Sequence, residues 1–390
     1  MRRNRACLHR IAVVVCVLGL VAPAPPVSAA PKGDPLRARQ WSHDRVRVTE
    51  AWKHSTGRGA VVALLDSGVD LAHPDRPHHL LIPRGADVID PDGCIDSRCR
   101  ADGPRDLSGH GTAVAGVVAA RTGNGEGIAG IAPDARVMPI RIVSPNAPAS
   151  FAALARGIRL AVDHGADVIG VWVAFPELPF ELSSRGISGE TLNDQPTGAA
   201  AEVFASVEYA WARGALVIGT AGNGFPSPSL VVPSGPPSGP GKPECGIPAI
   251  HPLALCVGAV DRADRHTYYS DFRPLRPDML MVGPSGNDVT GGFLPPDAAP
   301  CADRVVTTAL TGSTRACPGD LPAGYTTISG TSGAAAYVVG VATLLAAQGR
   351  TNVQILEALR TTAVDLGAPG TDSLYGRGRV DALAAVRAPR

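Results

Sequence analysis

Apolar and polar positions follow two rhythms along this chain. Short runs that are apolar on both faces occur at 59–65 (GAVVALL), 136–142 (RVMPIRI), 167–173, 215–219 and 255–260. Such runs read as strands buried on both sides, the hallmark of a parallel sheet. The first of them ends at Asp66. Between the runs lie segments with helical spacing. Residues 111–120 are small and β-branched, as in a closely packed helix, and 150–164 places Phe151, Leu154, Ile158 and Val162 on one helical face. Further helices are predicted at 202–213, 332–348 and 352–361. Strands alternating with helices predict an α/β fold, a mainly parallel sheet with helices on both faces. Ligand and catalytic sites of such sheets lie at the carboxyl ends of the strands. The apolar stretch 338–347 carries glycine, which makes it a buried core helix rather than a membrane span.

Three stretches break the rhythm, at 175–196, 225–243 and 284–324. They are rich in proline, glycine or serine and are expected to be surface loops inserted into one peptidase domain over 47–390. The first 29 residues have the pattern of a signal peptide. Arg2, Arg3, Arg5 and Arg10 form a basic start, an apolar run follows from Ile11, and Val27-Ser28-Ala29 supplies small residues at a cleavage site. The apolar run is too short for a stable anchor. Residues 30–46 are then an N-terminal extension. Cleavage changes the formal charge from +1 to −3, so neither form offers a cationic surface for nucleic acid. It leaves six cysteines, Cys94, Cys99, Cys245, Cys256, Cys301 and Cys317. An even set in an exported chain reads as disulfides. Six allow 15 pairings, of which neighbour with neighbour is the simplest. No pair has the spacing of a zinc site. Asp92, Asp96 and Asp102 share one polar loop without ligand spacing, so no metal is assigned.

Chemistry is concentrated in DSGVD (66–70), HGTAVAG (110–116) and SGTSGAAA (329–336). A serine hydroxyl is a poor nucleophile at neutral pH and needs a neutral imidazole to take its proton. The imidazole in turn needs a carboxylate to set its tautomer. These segments supply Ser332, His110 and Asp66 for those three roles. Gly330 and Gly333 leave room for a substrate backbone, and Ser332 opens a helix whose N-terminus favours negative charge. Asn223, in GTAGNG after an apolar strand, is the candidate oxyanion donor. Each signal has a plain structural alternative: a strand-end Asp66, a helix-start His110, an N-cap Ser332, a turn Asn223. Their conjunction in one order over about 270 residues is specific.

These segments resemble the subtilisin-like serine proteases, the subtilases. AGN at 221–223, DVI at 167–169, CVGAVD at 256–261 and YGRGRVDA at 375–382 extend the resemblance over 41–385. It implies a three-layer fold with a mainly parallel seven-stranded sheet, endopeptidase activity, and the triad and oxyanion roles just given. Calcium is a possible cofactor on the same ground. Within the family the chain looks most like the mycosins, proteases associated with type VII secretion in actinobacteria. Gln40-Trp41 and Ala51-Trp52 resemble the mycosin N-terminal extension, and only 36 residues separate Ala29 from Asp66, too few for the usual folding prodomain. The transmembrane helix that usually ends a mycosin has no counterpart before Arg390, so the mature chain is expected to carry no integral anchor. Its expected partners are a polypeptide substrate and type VII components. Three departures stand out: Ala336 replaces a proline, Gly333 a methionine, and Trp172, Val173 and Ala174 replace Ser-Leu-Gly on the strand that pairs with substrate. The bulk of this last triplet is expected to reshape the specificity pocket. It also motivates the alternative of a structural component of an export complex with little turnover.

Overall fold

Seven parallel strands form the centre of the molecule, in the order β2-β3-β1-β4-β5-β6-β7. The computed structural model describes residues 33–89, 103–145, 149–173, 198–224, 245–273, 276–286, 303–313 and 321–390. The strands are β1 (Val61–Asp66), β2 (His79–Leu80), β3 (Arg136–Arg141), β4 (Val168–Val171), β5 (Leu216–Thr220), β6 (Leu255–Val260) and β7 (Leu280–Pro284). A separate antiparallel pair joins β8 (Val305–Thr308) to β9 (Tyr325–Ile328). The helices are α1 (Trp41–Val46), α2 (Val48–Ala51), α3 (His110–Ala119), α4 (Phe151–Asp163), α5 (Ala199–Ala212), α6 (Thr331–Ala346), α7 (Asn352–Thr361) and α8 (Ala382–Arg387).

Side chains alternate across a strand, and this divides the core in two. Val62, Leu64, Val168, Leu216 and Ile218 face α3 and α6, whereas Ala63, Leu65, Ile169, Val171 and Val217 face Leu154 and Ile158 of α4 and Val203 and Phe204 of α5. β1 is buried at every position, as its unbroken apolar run requires. α6 is buried from Thr331 to Leu345 because it lies across β4 to β7 with α3 and α7 beside it. Ser150 caps α4 by accepting from the Ala153 N–H, and Thr351 and Gln354 form a capping box on α7.

One expectation changes. The stretch 284–324 is not wholly irregular, since it contains β8, whose hydroxyls reach α3: Thr307 and Thr308 donate to the carbonyls of Ala113 and Thr112 at 2.5 and 2.7 Å. Four residues of strand without alternation are too short to stand out from a loop. The N-terminal extension contributes to the core. Gln40, Ser42, His43 and Val46 are fully buried. The Gln40 amide bonds both polar groups of Ala129, and Ser42 and His43 both meet the Tyr337 hydroxyl of α6, at 2.5 and 2.7 Å.

Candidate active site

β1, β4 and β5 are neighbours, and their carboxyl ends deliver the predicted residues to one edge. Asp66 is the last residue of β1, Trp172 the first beyond β4, and Asn223 lies just beyond β5. α3 and α6 pack side by side against the sheet. Their first turns carry His110 and Ser332.

The approach of α3 to β1 depends on the absence of a side chain. A Cβ on Gly111 would lie 2.1 Å from the Gly68 carbonyl oxygen, so only glycine lets the helix start against the turn that follows β1. His110 Nδ1 is thereby set 2.8 and 3.0 Å from the two Asp66 oxygens. The Asp66 side chain is 3% accessible and the His110 side chain 42%, so the carboxylate is sealed while the ring faces outward. The hydrogen bond puts a proton on Nδ1 and leaves Nε2 of the neutral ring as the acceptor. Burial works to lower the imidazole pKa. The charge and hydrogen bond of Asp66, with the charge of Asp106, outweigh it and hold the pKa above the ordinary value.

Asp106 holds the start of α3. Its buried carboxylate accepts from the backbone N–H groups of Ser108, Gly109 and Thr112 at 2.8 to 2.9 Å, and from the hydroxyls of Thr112 and Ser67 at 2.7 and 2.8 Å. Ser67 Oγ also accepts the Gly111 N–H at 2.9 Å.

The start of α6 is held from four places. Ser332 is 8% exposed, and the turn before it passes through Gly330 at φ 90°. The Gly330 N–H donates to Tyr269 Oη at 3.0 Å, and Ser285 Oγ donates to the Gly330 carbonyl at 2.6 Å. Burial pushes the Tyr269 hydroxyl up to about 12, so it stays neutral. Asn223 Oδ1 accepts the backbone N–H and the hydroxyl of Thr331 at 2.9 and 3.0 Å. Both Thr331 groups are met by the oxygen, which orients the amide, and a Cβ on Gly330 would stand 3.3 Å from its Nδ2 and 3.4 Å from its Oδ1. Trp172 Nε1 donates to the Ser332 carbonyl at 2.9 Å.

Of the substrate-pocket candidates, Trp172 is 6% exposed and belongs to the core. Residue 172 points to the same face as Val168, toward α6, and its ring packs there. Val173 is half-buried against the opposite core, and Ala174 lies outside the described residues. Cys245 and Cys256 are joined by a disulfide, with Cα atoms 6.4 Å apart. Cys94, Cys99, Cys301, Cys317 and the loop bearing Asp92, Asp96 and Asp102 lie outside the described residues. Asp106 has a local signal, an acid just before a helix start. Tyr269, Ser285 and Thr331 have none, since their partners are distant in sequence.

Calcium is the cofactor that the family resemblance suggests. Among the described residues no group of three or more His, Cys, Asp or Glu side chains is arranged to hold a metal. Asp34 accepts the N–H groups of Gly123 and Asn124, and Asp75 accepts Ile128 N–H, Asn124 Nδ2 and the Tyr325 hydroxyl. These oxygens are met by hydrogen-bond donors, which suit carboxylates and repel a cation. Asp34 and Asp75 as bonded here therefore do not fit a calcium ion.

A parallel seven-stranded sheet with these two helix starts at its carboxyl edge defines a subtilisin-like serine endopeptidase. Residues 57–378 match the Subtilase family, and the chain belongs to it. It is 29% identical over 350 residues to thermitase of Thermoactinomyces vulgaris, covering 90% of this chain and 96% of that one. It is 31% identical over 378 residues to mycosin-1 of Mycobacterium tuberculosis, covering 89% and 72%. A solved protease from Pseudoalteromonas arctica superposes with a TM-score of 0.65 at 25% identity, over 92% of this chain and 99% of that one. Among the described residues no helix is long and apolar enough to cross a membrane.

Proposed function

We propose that the protein cleaves peptide bonds through an acyl-enzyme, with Ser332 as nucleophile, His110 as general base and then acid, and Asp66 as the orienting carboxylate. The observation that carries this reading is the 2.8 Å bond from His110 Nδ1 to a sealed carboxylate, on a ring that faces outward. Nε2 takes the Ser332 hydroxyl proton as Oγ attacks the scissile carbonyl carbon. The carbonyl π electrons move to its oxygen, toward Asn223 Nδ2 and the Ser332 backbone N–H. The intermediate collapses, the C–N bond breaks, and the amine leaves with the proton from His110. Water, deprotonated by the same imidazole, then attacks the acyl carbon, and the C–Oγ bond breaks as the imidazolium returns the proton to Ser332 Oγ. The N-terminus of α6 adds favourable potential at the forming oxyanion. An oxyanion donor of this kind is worth about 3 kcal/mol in the transition state.

The similarity to mycosin-1 and the signal-peptide pattern of the first 29 residues support export, and a place at the cell envelope beside a type VII secretion system. Turnover is favoured over a purely structural role because the Trp172 indole, whose bulk motivated that alternative, is packed inward.

Fluorophosphonate labelling at pH 8 tests the reading. Wild type labels at Ser332, and Ser332→Ala abolishes labelling while keeping the thermal transition. Absence of labelling in folded wild type refutes the assignment.

A further inference from the structure

We propose that Trp172 is a positioning residue for the nucleophile: its indole N–H fixes the Ser332 peptide from the end of β4. The proposal rests on the assignment of Ser332 above. The 2.9 Å bond from Nε1 to the Ser332 carbonyl is buried. A carbonyl oxygen offers two lone pairs, and the helix ladder uses one. The indole takes the second, so this oxygen has a partner that does not depend on the helix holding its own first turn, which is where helices fray.

The sequence has prepared room for this ring. Trp172 and Gly170 share a face of β4, and the indole folds back over the glycine. A Cβ on Gly170 would lie 2.5 Å from Trp172 Cη2, 2.6 Å from Cζ3 and 3.0 Å from Val339 Cγ2. Gly170 and Trp172 therefore act as a matched pair, and the ring is wedged between β4 and α6. A tryptophan serves where a smaller donor would not reach, since only the indole combines an N–H with enough apolar surface to fill that gap.

The other groups on this turn act before the nucleophile: Tyr269 and Ser285 hold Gly330, and Asn223 holds Thr331. Trp172 alone among these bonded side chains takes the peptide of Ser332 itself. It thus sets the rotation of the first turn of α6, and with it the direction of Oγ and of the Ser332 N–H.

Three replacements separate position from bulk. Trp172→Phe keeps most of the ring and loses the donor. A 3-benzothienylalanine at 172, installed by codon suppression, keeps the shape and loses only the N–H. Gly170→Ala keeps the tryptophan and pushes its ring off the Ser332 carbonyl. Each is expected to lower kcat and the fluorophosphonate labelling rate about tenfold, with KM and the cleavage-site profile unchanged. Amides 332–336 should exchange with deuterium faster in each. A labelling loss under threefold in the benzothienyl protein overturns the proposal. So does an effect confined to KM or the cleavage profile, which makes Trp172 a wall of the pocket. Wild type that exchanges slowly yet never labels refutes Ser332 as nucleophile without touching the clamp, because amide exchange reads the clamp independently.

Discussion

The two helix starts at the carboxyl edge of the sheet are built from opposite electrostatic materials. α3 is held by an anion: Asp106 gathers three backbone N–H groups and three hydroxyls, and Asp66 stands against His110. Among the described residues the first turn of α6 is held by neutral groups, the Tyr269 and Ser285 hydroxyls, the Asn223 amide and the Trp172 indole. Both arrangements satisfy orphan groups of a helix terminus. A carboxylate does so more strongly and completes the helix dipole. It is used where extra basicity is useful, beside the imidazole. In the proposed mechanism the groups that cap α6 bring no anion beside the forming oxyanion, where a fixed negative charge would raise the barrier. Rigidity alone would permit either set of caps at either helix; in the proposed mechanism the charge at the reacting atom separates them.

The largest expected loss comes from removing the carboxylate that orients the base. Asp66→Asn lowers kcat about 10⁴-fold by favouring the wrong tautomer, checked by single-turnover kinetics. Next, carrying the chemistry of α3 over to α6 breaks the contrast directly. Asn223→Ala removes one donor and lowers kcat about 10²- to 10³-fold. Asn223→Asp puts an anion there and is expected to be worse than Ala, although Asp could still accept from Thr331. Equal activity of the two variants in steady-state assays would show that charge at this position is immaterial. The smallest effect is the most diagnostic. Asp106→Asn is expected to cost about 1 to 3 kcal/mol of stability, since an amide presents N–H groups to donors, read from urea unfolding. It should also move the acid limb of kcat/KM to lower pH, because the charge of Asp106 helps to raise the His110 pKa.

The sign of that titration has two consequences. The base works only when neutral, so activity is lost as pH falls through a value above the usual imidazole pKa of about 6.5. Stability runs the other way. A group whose folded pKa is raised stabilises the native state fully below its unfolded pKa, and that contribution is lost as pH rises through the folded value. Replacing His110 by Gln should therefore cost more stability at pH 5 than at pH 8, as measured by thermal unfolding.

Much of this architecture was legible in the chain. The strand run that ends at Asp66, the helix of residues 352–361 and strand Leu255–Val260 follow directly from apolar periodicity and capping residues. What periodicity could not reveal were short or edge elements. β2 has two residues, and β8 and β9 have four each, too few for alternation to show. Trp172 is the sharpest case. Read linearly, a large ring on the substrate-pairing strand looks like a wall of the pocket. In space the alternation of the pleat turns it toward α6, and Gly170 makes room for it. Fifteen connectivities were open to the six cysteines until Cys245, whose neighbour Gly246 bonds the Ala221 carbonyl just after β5, came to lie beside Cys256 at the start of β6.

The linear chain by itself determined the class of fold and the chemical types available at the site, because buried strands, helix caps and glycine-flanked polar residues are written in local pattern. Only the tertiary structure decided which groups surround each helix start, and so where charge is present and where it is withheld. Hydrogen bonds between Asp66 and His110, Asn223 and Thr331, or Trp172 and Ser332 join positions 44 to 160 residues apart. No local rule encodes such contacts; they exist because strand order places those chain ends side by side.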